Sequence, residues 1–106
     1  MSKIRDITEE EQADQAAGIK FWNLIAKITW LGPVEPVGED KKVQSAIIED
    51  ETGQIKLKLW NDQTNKYGIG DKIMITAGKS GAFEDKTFIT PGLFGKIHKV
   101  PTEKPK

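Results

Sequence analysis

The amino-acid sequence predicts an all-β protein: a five-stranded barrel preceded by a short N-terminal extension that is helical or flexible. Two observations lead to this prediction. Short stretches of alternating apolar and polar side chains follow one another along the chain. Glycine, proline and acidic residues separate them, with no long helical pattern between. A closed barrel is preferred to an open sheet because closure removes exposed strand edges.

Composition narrows the classes of function. The chain has 106 residues, 16 basic and 16 acidic side chains, no cysteine and one histidine, His98. This length suits one domain, and the absence of cysteine excludes disulfides and thiolate metal sites. No signal peptide or membrane-length apolar run is present. We therefore expect a cytoplasmic, non-enzymatic protein with no cofactor, metal, membrane partner or small-molecule substrate.

An acidic segment opens the chain. Thr8 and Glu11 have the spacing of a capping box, which predicts a helix over about Glu9–Ala17 that stops at Gly18. Residues 1–14 carry two basic and five acidic side chains, and the rest of the chain carries fourteen lysines against eleven acidic residues. The folded part is therefore mildly basic, a balance that permits nucleic-acid binding.

Alternation then defines the strands. The first begins near Ile19 and turns Trp22, Leu24, Ala26 and Ile28 inward. The remaining predicted strands are Val43–Glu49, Gln54–Trp60, Asp71–Ala77 and Thr87–Thr90, and Ile97–Val100 is suited to extend the sheet. The corresponding domain boundaries are an extension at 1–18, a barrel domain at 19–100 and a disordered tail at 101–106.

Two predicted loops indicate which type of barrel the chain forms. One covers residues 31–42 and contains two prolines and two glycines; the other covers 78–86 and contains two glycines. They lie between strands 1 and 2 and between strands 4 and 5, where an OB-fold places its binding loops. An SH3-like barrel is the alternative.

The third strand presents two lysines and an aromatic on the face opposite the core. Lys56, Lys58 and Trp60 alternate with the inward residues of Gln54–Trp60. Lysine pairs with phosphate, an aromatic ring stacks on a base, and strands 2 and 3 of an OB-fold face nucleic acid. The candidate nucleic-acid-binding residues are Lys27, Trp30, Lys56, Lys58, Trp60, Lys79, Phe83, Lys86 and Phe88.

Alternatives stand beside these assignments. Outward lysines on a strand are most often a solvated face. Trp60 fits a base platform or the core equally well, and Trp30 fits the core or the rim. Trp22 is assigned to the core.

Residues 48–62 resemble a family signature. An Asp50–Gly53 turn leads into an alternating strand that ends in Trp60, and this pattern is similar to archaeal single-stranded-DNA-binding proteins of the replication protein A type. Residues 70–73, 95–97 and 3–7 also resemble that family. The resemblance implies an OB-fold that stacks bases on Trp60 and Phe83. The chain departs from it at Lys79, where the family carries an aromatic, and in the insertion Glu9–Gly18.

Three functions follow as hypotheses. The first is binding of single-stranded DNA with little sequence preference, in DNA replication, recombination or repair. The second is an RNA-binding OB module. The third is a protein-interaction subunit of a replication or repair complex, for which the acidic segment Glu9–Asp14 would serve as a docking element.

Overall fold

The computed structural model describes residues 3–7, 21–83, 86–91 and 95–100, and at positions 82, 83 and 86 it describes the backbone alone. Within these residues the strands are β1 Trp22–Pro36, β2 Lys42–Asp50, β3 Gly53–Trp60, β4 Lys72–Phe83, β5 Lys86–Thr90 and β6 Lys96–Lys99. A helical turn covers residues 4–7, and a 3₁₀ turn covers Asn61–Gln63. None of the helical segments described is long and apolar enough to cross a membrane.

The first strand closes the barrel because it pairs with two neighbours. Its beginning, from Trp22 to Lys27, lies antiparallel to β4, and its remainder, from Lys27 to Pro36, lies antiparallel to β2. The ring runs β1-β2-β3-β5-β4 and returns to β1, with β3 and β5 parallel. The sixth strand pairs with β4. The predicted five-stranded barrel is confirmed.

The barrel interior is filled by the residues that alternation turned inward. In β1 and β3 the predicted inward positions are all buried. Trp22 is 4% exposed, and its indole N–H donates to the Ser80 hydroxyl at 3.0 Å, so its assignment to the core is confirmed. The buried apolar residues described are Ile4, Ile7, Trp22, Leu24, Ala26, Ile28, Ala46, Ile48, Ile55, Leu57, Leu59, Ile73, Ile75 and Ile89.

A β-bulge decides the position of Trp30. The pairing of β1 with β2 shifts by one residue between Ile28, which faces Ile48, and Trp30, which faces Ile47. The extra residue reverses the inward and outward alternation. Trp30 therefore points out of the barrel and is 47% exposed, which places it on the rim rather than in the core.

Both predicted loops are too long. The segment 31–42 was predicted to be a loop, but β1 continues to Pro36 and only 37–41 separate it from β2. Proline is tolerated because the ladder is irregular between Leu31 and Val34, where Pro33 lies, and because Pro36 ends the strand. The turn itself is closed by the Val37 N–H, which donates to the Lys41 carbonyl at 2.7 Å.

The predicted loop 78–86 is also wrong over most of its length. Its residues up to Phe83, including Lys79, belong to β4, and β5 already begins at Lys86. The glycines that suggested a loop mark close packing instead. A Cβ on Gly81 would lie 2.8 Å from the Phe88 ring, and one on Gly78 would lie 2.8 Å from Ile75.

The helical turn at residues 4–7 docks on the barrel. Ile4 and Ile7 are fully buried in the barrel core. The Ile4 N–H donates to Asp50 Oδ2 at 2.9 Å, and the Arg5 N–H donates to Thr52 Oγ1 at 3.0 Å. These donors have no partner within a helix, so the β2–β3 turn caps this segment. The helix predicted at Glu9–Ala17 and the tail at 101–106 lie outside the described residues.

Asp50 is the centre of this cap, and its ionisation should affect stability. Burial raises the pKa of its carboxyl group, but hydrogen bonds from Thr52, Ile4 and Gly53 outweigh that effect and hold the pKa below the ordinary 3.8. The unfolded chain therefore takes up the proton more readily at low pH. The stabilisation is complete near neutral pH and is lost as the pH falls below about 4 towards the folded-state pKa.

Replacing Asp50 with alanine should lower the free energy of unfolding by about 0.5–2 kcal/mol at pH 7, the usual effect of removing a helix cap. At about pH 3 the difference from the wild type should shrink, because the Asp50 carboxyl group of the unfolded wild type then takes up a proton more readily than that of the folded state. Urea denaturation at both pH values measures this. Asp40→Ala, at an exposed position in the β1–β2 turn, is the matched control. A pH-independent difference would show that the charge of Asp50 does not stabilise the cap.

Candidate nucleic-acid interface

A row of side chains crosses four strands on the outside of the barrel. Trp30 pairs with Ile47, Ile47 with Lys56, and Lys56 with Phe88. Directly paired residues project from the same side of a sheet. Lys56 is exposed, whereas Ile55 beside it is buried, so this side is the outer one. The register therefore brings two aromatic side chains and a lysine from distant parts of the sequence into one line.

A second row lies beside the first. Ser45 pairs with Lys58, and Thr90 pairs with Lys79. The Thr90 hydroxyl donates to the Lys58 carbonyl at 3.1 Å and joins the two pairs across β3 and β5. Lys79 is exposed on β4, and its pairing with Thr90 places it on the same face as Lys58. We call the combined surface the aromatic face; it comprises Trp30, Val43, Ser45, Ile47, Lys56, Lys58, Trp60, Lys79, Phe88 and Thr90.

Lys58 rests on an aromatic ring within this face. Its Nζ lies 4.4 Å from the centroid of the Phe88 ring, at cation–π distance. The tip of the same ring packs against Gly81, which leaves room because it has no Cβ. Phe88 is therefore held from two sides, and the ammonium group of Lys58 is kept over the face instead of extending freely into solvent.

Trp60 closes one end of the aromatic face. It pairs with Val43 and is half-buried, and its backbone N–H donates to Gln63 Oε1 at 3.1 Å. The chain turns away directly afterwards, because Asn61 has a φ of 52° and its side-chain oxygen accepts the Lys42 N–H at 3.0 Å. The predicted outward orientation of Trp60 is confirmed, and its backbone is fixed on both sides.

The remaining predicted residues lie elsewhere or are described only in part. Lys27 is exposed on β1, where it faces Glu49 on one side and Lys72 on the other, outside the two rows above. Phe83 and Lys86 pair with each other at the open end of the β4–β5 ladder, beyond Gly81 and Phe88. Their side chains lie outside the described part of the chain.

The charge of the aromatic face is positive. Lys56, Lys58 and Lys79 lie on it, and among the described residues Glu35, which faces Val43, and Glu49, two residues from Ile47 on β2, border it. Among the residues that the structure describes, no group of three or more histidine or acidic side chains could hold a metal ion. The surface thus offers aromatic rings and lysine ammonium groups.

Sequence reasoning missed two apolar members of this face. Ile47, in the first row, and Val43, which pairs with Trp60, point outward and are half-buried. The available signal was the adjacent pair Ile47 and Ile48: neighbouring residues of a strand face opposite sides, so one of the two must lie outside. Their side chains add apolar surface to the aromatic face beside the rings.

No family model matches the sequence. Among solved structures, the OB domain of Ta0387 from Thermoplasma acidophilum superimposes with a TM-score of 0.73 at 22% identity, covering 99% of this chain and 91% of that one. The OB domain of MM0293 from Methanosarcina mazei gives 0.64 at 25% identity, covering 79% and 75%. A replication protein A heterotrimer bound to single-stranded DNA gives 0.61 at 16% identity, covering 77% of this chain and 22% of that one. These similarities and the strand order agree: the chain has an all-β OB-fold.

Proposed function

We propose that this chain is a non-enzymatic, single-stranded-DNA-binding protein of the replication protein A type that acts in DNA replication, recombination or repair. The observation that carries the proposal is the aromatic face, where an exposed Trp30 shares a row with Lys56 and Phe88. Large exposed aromatic side chains beside lysines suit a ligand with flat bases and charged phosphates. The similarity of the fold to replication protein A bound to single-stranded DNA supports this choice.

The binding mechanism follows from the arrangement. Bases of an unpaired strand stack on Trp30 at one end of the face and on Trp60 at the other, and on Phe83 by the family resemblance. Lys56, Lys58 and Lys79 lie beside them and neutralise phosphates. Every base offers a π-face, so stacking gives little sequence preference.

Phe88 has a second state in this mechanism. In the free protein the Lys58 ammonium occupies one side of its ring, at 4.4 Å from the centroid. A base that stacks there displaces the ammonium, which then becomes available to a phosphate of the same strand. The exchange replaces a cation–π contact with one stacking and one ionic contact.

The test is a titration with oligo-dT, oligo-U and duplex DNA, followed by tryptophan fluorescence. Trp30 is exposed and Trp60 partly exposed, so stacking should quench their emission, whereas Trp22 is buried and should respond little. We expect quenching by oligo-dT and little by duplex DNA. Tighter binding of oligo-U would assign the chain to RNA. No response to any oligomer would refute the proposal and favour a protein-interaction subunit.

The salt dependence of binding should be modest. Three lysines on the aromatic face should neutralise about three phosphates of a short oligo-dT of about five nucleotides. Each phosphate contributes about −0.7 to the slope of log K against log salt, so the slope should be about −2. Fluorescence anisotropy of a labelled oligomer at several salt concentrations measures it. A slope near zero would show that these lysines do not contact phosphates.

A further inference from the structure

A second lysine-rich surface lies on the outside of β1, β4 and β6. Lys27 pairs with Lys72, Met74 pairs with His98, and Thr76 pairs with Lys96. These positions alternate with the buried Ile73 and Ile75, so they face outward. We call this surface the basic face; it comprises Ile25, Lys27, Lys72, Met74, Thr76, Lys96 and His98.

Two lysines of the basic face repel each other. Lys27 and Lys72 lie directly opposite across β1 and β4, an arrangement that destabilises a sheet. Neither β4 nor β6 contains an acidic residue. Asp71, next to Lys72 in sequence, is already engaged: its Oδ2 accepts the Gly68 N–H at 2.8 Å and lies 3.5 Å from Lys99 Nζ. Glu49 faces Lys27 from β2 and offsets part of this repulsion, and a bound anion would relieve the remainder.

The basic face adjoins the aromatic face at one point. Lys27 lies three residues before Trp30 on the same strand, a distance of about 10 Å at 3.3 Å per residue. On the β4 and β6 side the lysines continue from Lys72 to Lys96, which is paired four residues further along β4 and thus about 13 Å away. An anionic chain that passes Trp30 would meet Lys27, Lys72 and Lys96 in turn.

We infer that the single strand bound on the aromatic face continues past Trp30 across β1, β4 and β6, with its phosphates on Lys27, Lys72 and Lys96. This inference rests on the proposed function. The contact is ionic rather than stacking, because the centre of the basic face is formed by the half-buried aliphatic side chains of Ile25 and Met74. Short oligomers therefore fill the aromatic face alone, and longer ones engage both faces.

The experiment compares two lengths of labelled oligo-dT, about 5 and about 15 nucleotides, which span the range of site sizes of OB folds. The variant is the double substitution Lys72→Gln and Lys96→Gln. Its matched control is Lys3→Gln with Lys66→Gln, which removes the same charge at exposed positions outside both faces. Lys3 pairs with Glu51 in an exposed ion pair, and such pairs contribute little to stability.

We expect the 15-mer to show a steeper salt slope than the 5-mer in the wild type. The Lys72/Lys96 variant should lose about 1.4 of that slope, from about 0.7 per phosphate. Between 50 and 200 mM salt the wild-type affinity should then fall about sevenfold more than that of the variant. Binding of the 5-mer should be the same in both proteins. In the wild type, the 15-mer but not the 5-mer should protect Lys72 and Lys96 from acetylation.

The outcomes separate the two proposals. If the wild type binds neither oligomer, the proposed function fails and this inference fails with it. If both oligomers bind but the Lys72/Lys96 variant matches its control on the 15-mer, the inference alone is overturned. Unprotected lysines in the wild-type complex with the 15-mer would overturn it as well, independently of how the variants fold.

Discussion

Replacing Ile4 with alanine should lower the free energy of unfolding by about 2–5 kcal/mol, as for other large-to-small substitutions at buried sites. Ile4 is fully buried and belongs to the same apolar cluster as the strands of the barrel. Its N–H is bound by Asp50, so the helical turn is held in place and cannot easily relax to fill the cavity. Urea denaturation followed by circular dichroism measures the loss.

Val37→Ala is the matched control for that experiment. Val37 is an apolar β-branched residue that is 44% exposed in the β1–β2 turn, and its truncation should change stability by less than about 0.5 kcal/mol. If Ile4→Ala were as mild as this control, the helical turn would not be part of the cooperative fold. The substitution should leave the aromatic face intact, because residues 4–7 dock at the opposite end of β3 from Trp60.

The third strand was predicted from sequence to within one residue, as Gln54–Trp60 against the observed Gly53–Trp60, and the reason is physical. One face of Gln54–Trp60 is buried and the other is not, so a one-residue shift would expose every leucine and isoleucine on it. The alternation of Ile55, Leu57 and Leu59 with lysines therefore determines the register locally. The orientation of Lys56, Lys58 and Trp60 follows from the same pattern.

The N-terminal turn escaped prediction because its stability is not local. Ile4 and Ile7 have helical spacing, but one turn is too short to form alone. Its capping groups, Asp50 and Thr52, are contributed by the β2–β3 turn, 46 and 47 residues away in the sequence. The resemblance of residues 3–7 and of the Asp50–Gly53 turn to one family now has a structural explanation, since these two segments bind each other.

The predicted ends of β1 and β4 were wrong for a related reason. Strand β1 pairs with two strands and β4 with three, and each is irregular near a change of partner: β1 has its bulge after Ile28, and β4 has a positive φ of 56° at Ala77. Such irregularities depend on barrel closure, not on local propensity. The same applies to the site, because Phe88 reaches Lys58 only through the parallel pairing of β3 with β5.

Replacing Trp30 with alanine should weaken the binding of oligo-dT by about 5- to 150-fold, which corresponds to about 1–3 kcal/mol for the loss of one stacked base. Trp30 is the most exposed tryptophan, it lies in the row with Lys56 and Phe88, and the bulge holds it outward. Stability should change little, because the ring makes its close contact with Gly32 at the surface. Anisotropy of a labelled oligomer gives the affinity without relying on tryptophan emission.

Phe21→Ala provides the comparison, because Phe21 is an aromatic residue of nearly equal exposure, 48%, that precedes β1 at the end remote from the bulge, next to Lys79 in the register of β1 with β4. If exposed aromatic surface alone attracted the oligomer, both variants would weaken binding equally. A loss confined to Trp30→Ala requires a defined position on the aromatic face. Unchanged affinity in Trp30→Ala, with an intact circular dichroism spectrum, would remove Trp30 from the interface. The proposed path of the single-stranded DNA from Trp30 onto Lys27 would then lose its contact with Trp30.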